Sequence, residues 1–222
     1  MVNTAKVVDE EFVRMITEKV IEQLKMEKPE MENIFKIPVG VSNRHVHVTK
    51  EDLETLFGEG YELTRKSELK QPGQFAANET VIIRGPKGEF DKVRILGPVR
   101  PQSQVEISKT DTFRLGIKAP IKTSGDLADT PGIELIGPKG NVTLPAGTIV
   151  ALRHIHMTPE QAKVVGLKDM DVVEVETTGE RRGVLGDVLV RVTNTSALEI
   201  HVDVDEANAC ALNNDDFVLL RY

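Results

Sequence analysis

Tryptophan is absent from this 222-residue chain, aromatic residues make up 4% of it, and there is one cysteine, Cys210. A single cysteine excludes an internal disulfide and any Cys-x-x-Cys metal site. With so few aromatics, Val, Ile and Leu must fill the interior, which favours strands carrying β-branched residues on their inner faces. No apolar run approaches the ~20 residues that a membrane helix needs. The N-terminus lacks a basic start followed by an apolar stretch and a small-residue cleavage site, so the chain reads as cytoplasmic. A formal charge of −7 argues against a nucleic-acid footprint while leaving room for a local basic pocket. Gly-rich phosphate loops and a His-Glu-x-x-His helix are also missing, which speaks against P-loop and Rossmann nucleotide enzymes and against zincin-type proteases. Hydrophobic content of 40% and charged content of 28% mark an ordinary globular chain, long enough for one large domain or two small ones.

Histidine is scarce too, at five residues, and its placement is the most informative feature present. Four of the five fall in near-copies of one phrase, Arg44-His45-Val46-His47-Val48-Thr49 and Arg153-His154-Ile155-His156-Met157-Thr158, and the fifth is His201. In an extended strand, side chains at i and i+2 leave the same face, so each His-x-His pair aims two imidazoles at one point while the middle residue packs behind. Two pairs suggest two half-sites for metal. Imidazole suits zinc, copper, iron and nickel alike.

Residues 7–26 predict an amphipathic helix, with Val8, Phe12, Val13, Ile16, Val20 and Leu24 on one side and Glu11, Arg14, Glu18, Glu22 and Lys25 on the other. A Pro-containing linker, Glu27 to Asn33, separates it from the first strand of the body, Ile34 to Val41. Each His-x-His strand then runs into a helix-capping Thr: Thr49 with Asp52 three residues on, and Thr158 with Pro159 and then Gln161. A second echo sets Gly85-Pro86-Lys87-Gly88 against Gly137-Pro138-Lys139-Gly140, each a tight turn between strands. Short apolar runs separated by turn residues (Val81 to Ile83, Lys92 to Leu96, Gln104 to Ile107, Val142 to Leu144, Ile149 to Leu152, Val172 to Glu176, Val184 to Val192) suit small barrels. The predicted class is mainly β, as two related units with short helices. Asp205 is expected to cap the last helix, and Cys210 within it reads as a small core residue.

Carboxylates could complete the metal shells. Glu106 is the best placed, since alternation in Gln104-Val105-Glu106-Ile107-Ser108 sends Gln104, Glu106 and Ser108 to one face. His201 shares a polar strand face with Glu199 and Asp203. Six protein ligands over two metals leave an open position at each, as catalytic zinc sites do. Arg94, Arg100, Arg44 and Arg153 lie close by in sequence, and a guanidinium beside a metal makes a good phosphate clamp.

On these residues the chain resembles the PduL-type phosphotransacylases, also called phosphate propanoyltransferases. The resemblance rests on Pro38 to His47, Leu69 to Ala76, Gly97 to Arg100 running to Gln104 to Ser108, Leu152 to Thr158 and His201 to Asn208, and it extends from Pro38 to Tyr222. It implies reversible acyl transfer between coenzyme A and phosphate, by direct metal-assisted attack of Arg-held phosphate on the thioester. It also implies two zinc ions, one on His45, His47 and Glu106 and one on His154, His156 and His201. Arg100 would hold the phosphate, and Ser42, Arg94, Leu96 and Asn208 would line the coenzyme A site. The implied fold is two small β-barrels, one from 34–43 with 152–222 and one from 44–151, after the helix and linker of 1–33. Implied partners are acyl-CoA, coenzyme A and phosphate, further copies of the chain in a homo-oligomer, and a shell or core protein of a bacterial microcompartment met through the N-terminal helix. A binuclear metal hydrolase and a metal-stabilised binding scaffold are the competing classes. The first would release coenzyme A without phosphate, and the second would close its metals with four ligands each.

Overall fold

A computed structural model describes residues 13–20 and 33–222. The chain divides into residues 1–34 with 221–222, and a body of 35–220. In the first unit residues 13–20 are helical (α1), with Arg14 and Glu18 paired at 3.1 Å one turn apart and Val13, Ile16 and Val20 exposed. The rest of the helix expected over 7–26, and the linker before Asn33, lie outside the described residues.

The body opens with β1 (Ile34–Ser42) and the short β2 (His45–His47), followed by α2 (Lys50–Phe57), β3 (Arg65–Glu68), β4 (Phe75–Arg84), β5 (Glu89–Gly97) and β6 (Gln104–Ile107). Next come α3 (Lys109–Leu115), β7 (Ile121–Lys122), β8 (Ile133–Ile136), β9 (Asn141–Leu144) and β10 (Thr148–Ala151). The chain finishes with β11 (His154–Met157), α4 (Pro159–Val164), β12 (Val172–Thr177), β13 (Val184–Val192), β14 (Glu199–Asp203), α5 (Val204–Cys210) and β15 (Phe217–Arg221).

The structure is mainly β, but only one of the two expected barrels closes. Strands β1, β14, β11, β13, β12 and β15 form a closed ring. The intervening strands form a nine-stranded sheet running β7-β10-β6-β2-β5-β4-β8-β9, with β3 added to β4. Its end strands β7 and β9 do not pair with each other, and β7, at two residues, is too short to carry a closing ladder. Each assembly has its own apolar core. Val46, Leu53, Leu56, Ile83, Ile95 and Leu135 are fully or almost fully buried in the sheet, and Ile37, Val39, Ile155, Val188, Val190 and Ile200 in the barrel. The middle residues of the two His-x-His phrases, Val46 and Ile155, therefore anchor one strand to each core.

Both expected capping threonines act as such: Thr49 accepts from the Asp52 backbone N–H, and Thr158 forms a full capping box with Gln161. The cap of α5 is Asp203, in a capping box with Glu206, rather than Asp205, whose carboxylate instead accepts from the Thr110 N–H at 2.7 Å. The helix begins two residues earlier than a cap at Asp205 would allow, and Asp205 and Glu206 sit in its first turn, where carboxylates are favoured. Cys210 is buried in the barrel core. The paired Gly-Pro-Lys-Gly turns join β4 to β5 and β8 to β9, so this echo lies within the sheet and not across the two halves. Each turn docks on a helix end: Lys87 N–H donates to Leu115 O of α3 and Lys139 N–H to Leu56 O of α2. A Cβ at Gly85 or Gly137 would sit 2.3 or 2.4 Å from those same carbonyls, so a side chain is excluded at both.

Candidate active site

Strand register brings the first group of candidate metal ligands together. β2 and β6 are antiparallel with His45 opposite Glu106 and His47 opposite Gln104, so all four side chains project from one face. His45 Nδ1 donates to Asn43 O at 2.8 Å and His47 Nδ1 to Leu96 O at 3.2 Å, since a carbonyl can only accept. Those bonds fix the rings and turn each Nε2 inward. Glu106 presents Oε2 to His45 Nε2 at 3.5 Å, while its Oε1 accepts from Ser124 Oγ at 2.8 Å and from the Gln104 amide. Burial, the neighbouring His45 and the Arg100 charge hold the His47 pKa down to about 3. Burial also lowers that of His45, but the facing Glu106 carboxylate outweighs it and the net shift is upward. Burial would raise Glu106, yet the imidazoles beside it keep its carboxyl well below the usual range.

The second group is built the same way on the barrel. β11 pairs with β14 so that His154 stands opposite His201 and His156 opposite Glu199. His154 Nδ1 donates to Leu152 O at 2.8 Å, which leaves its Nε2 lone pair 3.1 Å from His156 Nε2. The three rings lie with centroids 4.7 to 5.0 Å apart. Burial and the adjacent imidazoles hold His154 down to about 4 and His156 down to about 3, so these nitrogens crowd together as neutral donors. Glu199, itself buried, accepts from His201 Nε2 at 2.7 Å and pairs with Lys70 at 3.3 Å. Burial would raise its carboxyl, but His201 and Lys70 keep it below the ordinary value. A Cβ on Gly40 would come within 2.7 Å of the Glu199 carboxylate and 3.1 Å of the His201 ring, so glycine there makes the room this arrangement needs.

The ligand atoms of His45, His47 and Glu106, and those of His154, His156 and His201, each lie within 4.8 Å of one another, and each triad could hold a metal ion. Imidazoles of which His45, His47 and His154 have the remote nitrogen hydrogen-bonded to a carbonyl, joined in one triad by a carboxylate, are donor sets that fit a divalent cation.

All six donors line one cavity of about 600 Å³ between barrel and sheet. Ser42, Arg94, Leu96 and Arg100 line it as well; Asn208 is exposed on α5 and is not among the lining residues. Arg100 is partly buried, and its Nη1 donates to Ser124 Oγ at 3.2 Å. Arg94 donates to Ala77 O and Asn78 O at 2.9 and 2.8 Å. The arginines that open the two phrases are committed elsewhere. Arg44 makes a two-point bridge to Asp111 at 2.9 and 2.8 Å, and Arg153 binds Glu206 at 2.9 Å and Gly186 O at 2.6 Å. Among the lining groups to which the sequence reading gave no role are Lys70, Ser124 and Arg191. Ser124 lies in a loop without periodicity, whereas Arg191 carries a signal, a lone cation in the otherwise apolar run Val188 to Val192.

The profile of the phosphate propanoyltransferase family matches residues 38–213. The phosphate propanoyltransferase of Thermotoga maritima is 60% identical over 185 residues, covering 83% of this chain and 88% of the relative. That of Priestia megaterium is 46% identical over 212 residues, 96% of each chain. The Salmonella typhimurium protein of the same name is 45% identical over 207 residues, 93% of this chain and 94% of its own.

Proposed function

The chain belongs to the phosphate propanoyltransferase family, and from that premise we propose that this enzyme moves a propanoyl group reversibly between coenzyme A and phosphate. The observation that carries the reading is the pair of His-rich triads facing one cavity, with Arg100 beside them. We assign Zn²⁺ to both triads, on the preference of imidazole and carboxylate sets with three protein ligands and an open position. Bound there, the two ions would supply Lewis-acid polarisation of oxygens and offset the charge of an incoming phosphate.

The chain's own residues supply the rest. Arg100 presents a planar fork that holds two phosphate oxygens and so aims a third at the thioester carbonyl. Its bond to Ser124 orients the guanidinium, and Ser124 in turn binds the Glu106 oxygen turned away from His45. Transfer is direct: the bond from phosphate oxygen to the acyl carbon forms, the carbon–sulfur bond of the thioester breaks, coenzyme A leaves as its thiolate, and no side chain carries the acyl group. Ser42, Arg94 and Leu96 are assigned to coenzyme A on their place in the cavity wall together with the family resemblance, and Asn208 on the resemblance alone. The two separate apolar cores support reading 34–43 with 152–222 as one lobe and 44–151 as the other. The exposed apolar side of α1 supports its use as a docking helix for a microcompartment protein.

Metal analysis paired with coenzyme A release, run with and without phosphate, tests the proposal. Two zinc ions per chain and release that requires phosphate are expected; release that proceeds equally well without phosphate would make the protein a thioester hydrolase instead.

A further inference from the structure

The sheet-borne triad has an arginine beside it, and the barrel-borne triad has one too. β11 and β13 run parallel with His156 in register with Arg191. Residues at matched positions of neighbouring strands share a face, and the alternate residues Val188 and Val190 are fully buried in the barrel core. Arg191 therefore stands next to His156 on the outer face and lines the cavity with Arg100.

The Arg191 side chain makes no hydrogen bond or ion pair with any described residue. Leaving a half-buried guanidinium unmatched is costly, and the cavity walls offer it nothing. Their carboxylates are already engaged: Glu106 by His45 and Ser124, Glu199 by His201 and Lys70, Asp215 by Lys70, Glu68 by Arg65, and Asp203 by the first turn of α5. The cations, by contrast, bear on one another. Beside burial, the charge of Arg191 lowers the Arg100 pKa, against the opposing pull of the Glu106 carboxylate. Two guanidiniums lining one cavity whose carboxylates are already engaged define a place for a small anion of more than one charge.

Resting on the reading that Arg100 holds phosphate, we propose that Arg191 is a second phosphate-binding residue, closing the anion site from the barrel side as Arg100 does from the sheet side. The anion is the transferred phosphate rather than the phosphates of coenzyme A. In that coenzyme the pantetheine chain separates the phosphates from the sulfur, whereas Arg191 stands beside a metal triad, at the thioester end.

The test uses the metal-loaded full-length enzyme with Arg191→Ala, Arg191→Lys and Arg100→Ala, reading KM for phosphate, KM for propanoyl-CoA, kcat and metal content. Arg191→Ala should raise phosphate KM about ten- to a hundred-fold, the scale of one lost charge-assisted contact, with propanoyl-CoA KM and both metals retained. Arg191→Lys keeps the charge but loses the fork, and should fall between. An unchanged phosphate KM in Arg191→Ala while Arg100→Ala raises it would overturn this inference and leave the main reading standing. An unchanged phosphate KM in Arg100→Ala would instead remove the main reading. A rise in propanoyl-CoA KM that vanishes with propanoyl-pantetheine, which lacks the coenzyme's phosphates, would assign Arg191 to coenzyme A and reject the proposal. If Arg191→Ala loses metal, the lysine variant decides: wild-type phosphate KM with both metals bound would count against a phosphate contact.

Discussion

Arg44 and Arg153 hold equivalent places in the two His-x-His phrases, and each does the same work. Each reaches a carboxylate at the third position of a neighbouring helix, Asp111 of α3 and Glu206 of α5, and that carboxylate also closes the helix's capping box. Sequence proximity made them candidates for phosphate, and capping chemistry in distant segments claimed them. Glu79 shows the same principle away from the site. It lies on the inner face of β4, where alternation calls for an apolar residue, and it is matched by the Thr64 N–H and hydroxyl and the Tyr61 hydroxyl at 2.7 to 3.2 Å. Burial would raise its pKa, but these donors outweigh burial and lower it. A folded pKa below the unfolded value stabilises the protein above the unfolded pKa, and that stability fades as pH falls through the folded one. Glu79→Gln should therefore cost about 1–2 kcal/mol at pH 7 in urea unfolding. The gap should narrow below about pH 4. A gap independent of pH would mean that the charge is immaterial.

Among the elements, the His-x-His strands and their capping threonines are the most legible, because strand alternation and N-cap chemistry act over a few residues. Thr158→Ala should lower stability by about 1 kcal/mol, with Thr158→Ser nearly neutral. In a body of this size that corresponds to a fall in Tm of roughly 2–4 °C, measurable by calorimetry. An alanine variant as stable as the parent would show that Pro159 and the packing of Ala162 hold α4 without the cap. The Gly-Pro-Lys-Gly turns were readable as turns but not as neighbours within one sheet, since their resemblance comes from docking on the ends of α2 and α3. Closure was equally hidden: whether an end strand finds a partner depends on curvature and strand length summed over a whole sheet.

For the molecule as a whole, the cavity between sheet and barrel depends on contacts that span the chain. Gln71, in the loop before β4, donates to Ala197 O at 2.9 Å and accepts from the Ala197 N–H at 3.2 Å, clamping a sheet loop to a barrel loop. Every residue assigned to the metals, and both arginines proposed for the phosphate, lie between 45 and 201. Removing residues 1–27 should therefore leave phosphate-dependent turnover and metal content within about two-fold of the parent while abolishing co-purification with microcompartments, as expected for a helix that docks elsewhere. Loss of turnover in the truncated protein would make the segment part of the fold.

The sequence by itself singled out the residues of two groups that could hold metal ions. His-x-His spacing, a capping Thr and an alternating Glu106 are local patterns, and strand geometry alone sends those side chains to one side. Tertiary structure decided which cations were free. Arg44, Arg153, Arg100 and Arg191 are chemically the same residue. Only the carboxylates brought up by α3 and α5 distinguish the first two, and only the register of β11 on β13 sets Arg191 beside His156. Pairing between segments far apart in sequence leaves no local periodicity to read, so the full cation lining of the cavity appears once the strands are in register.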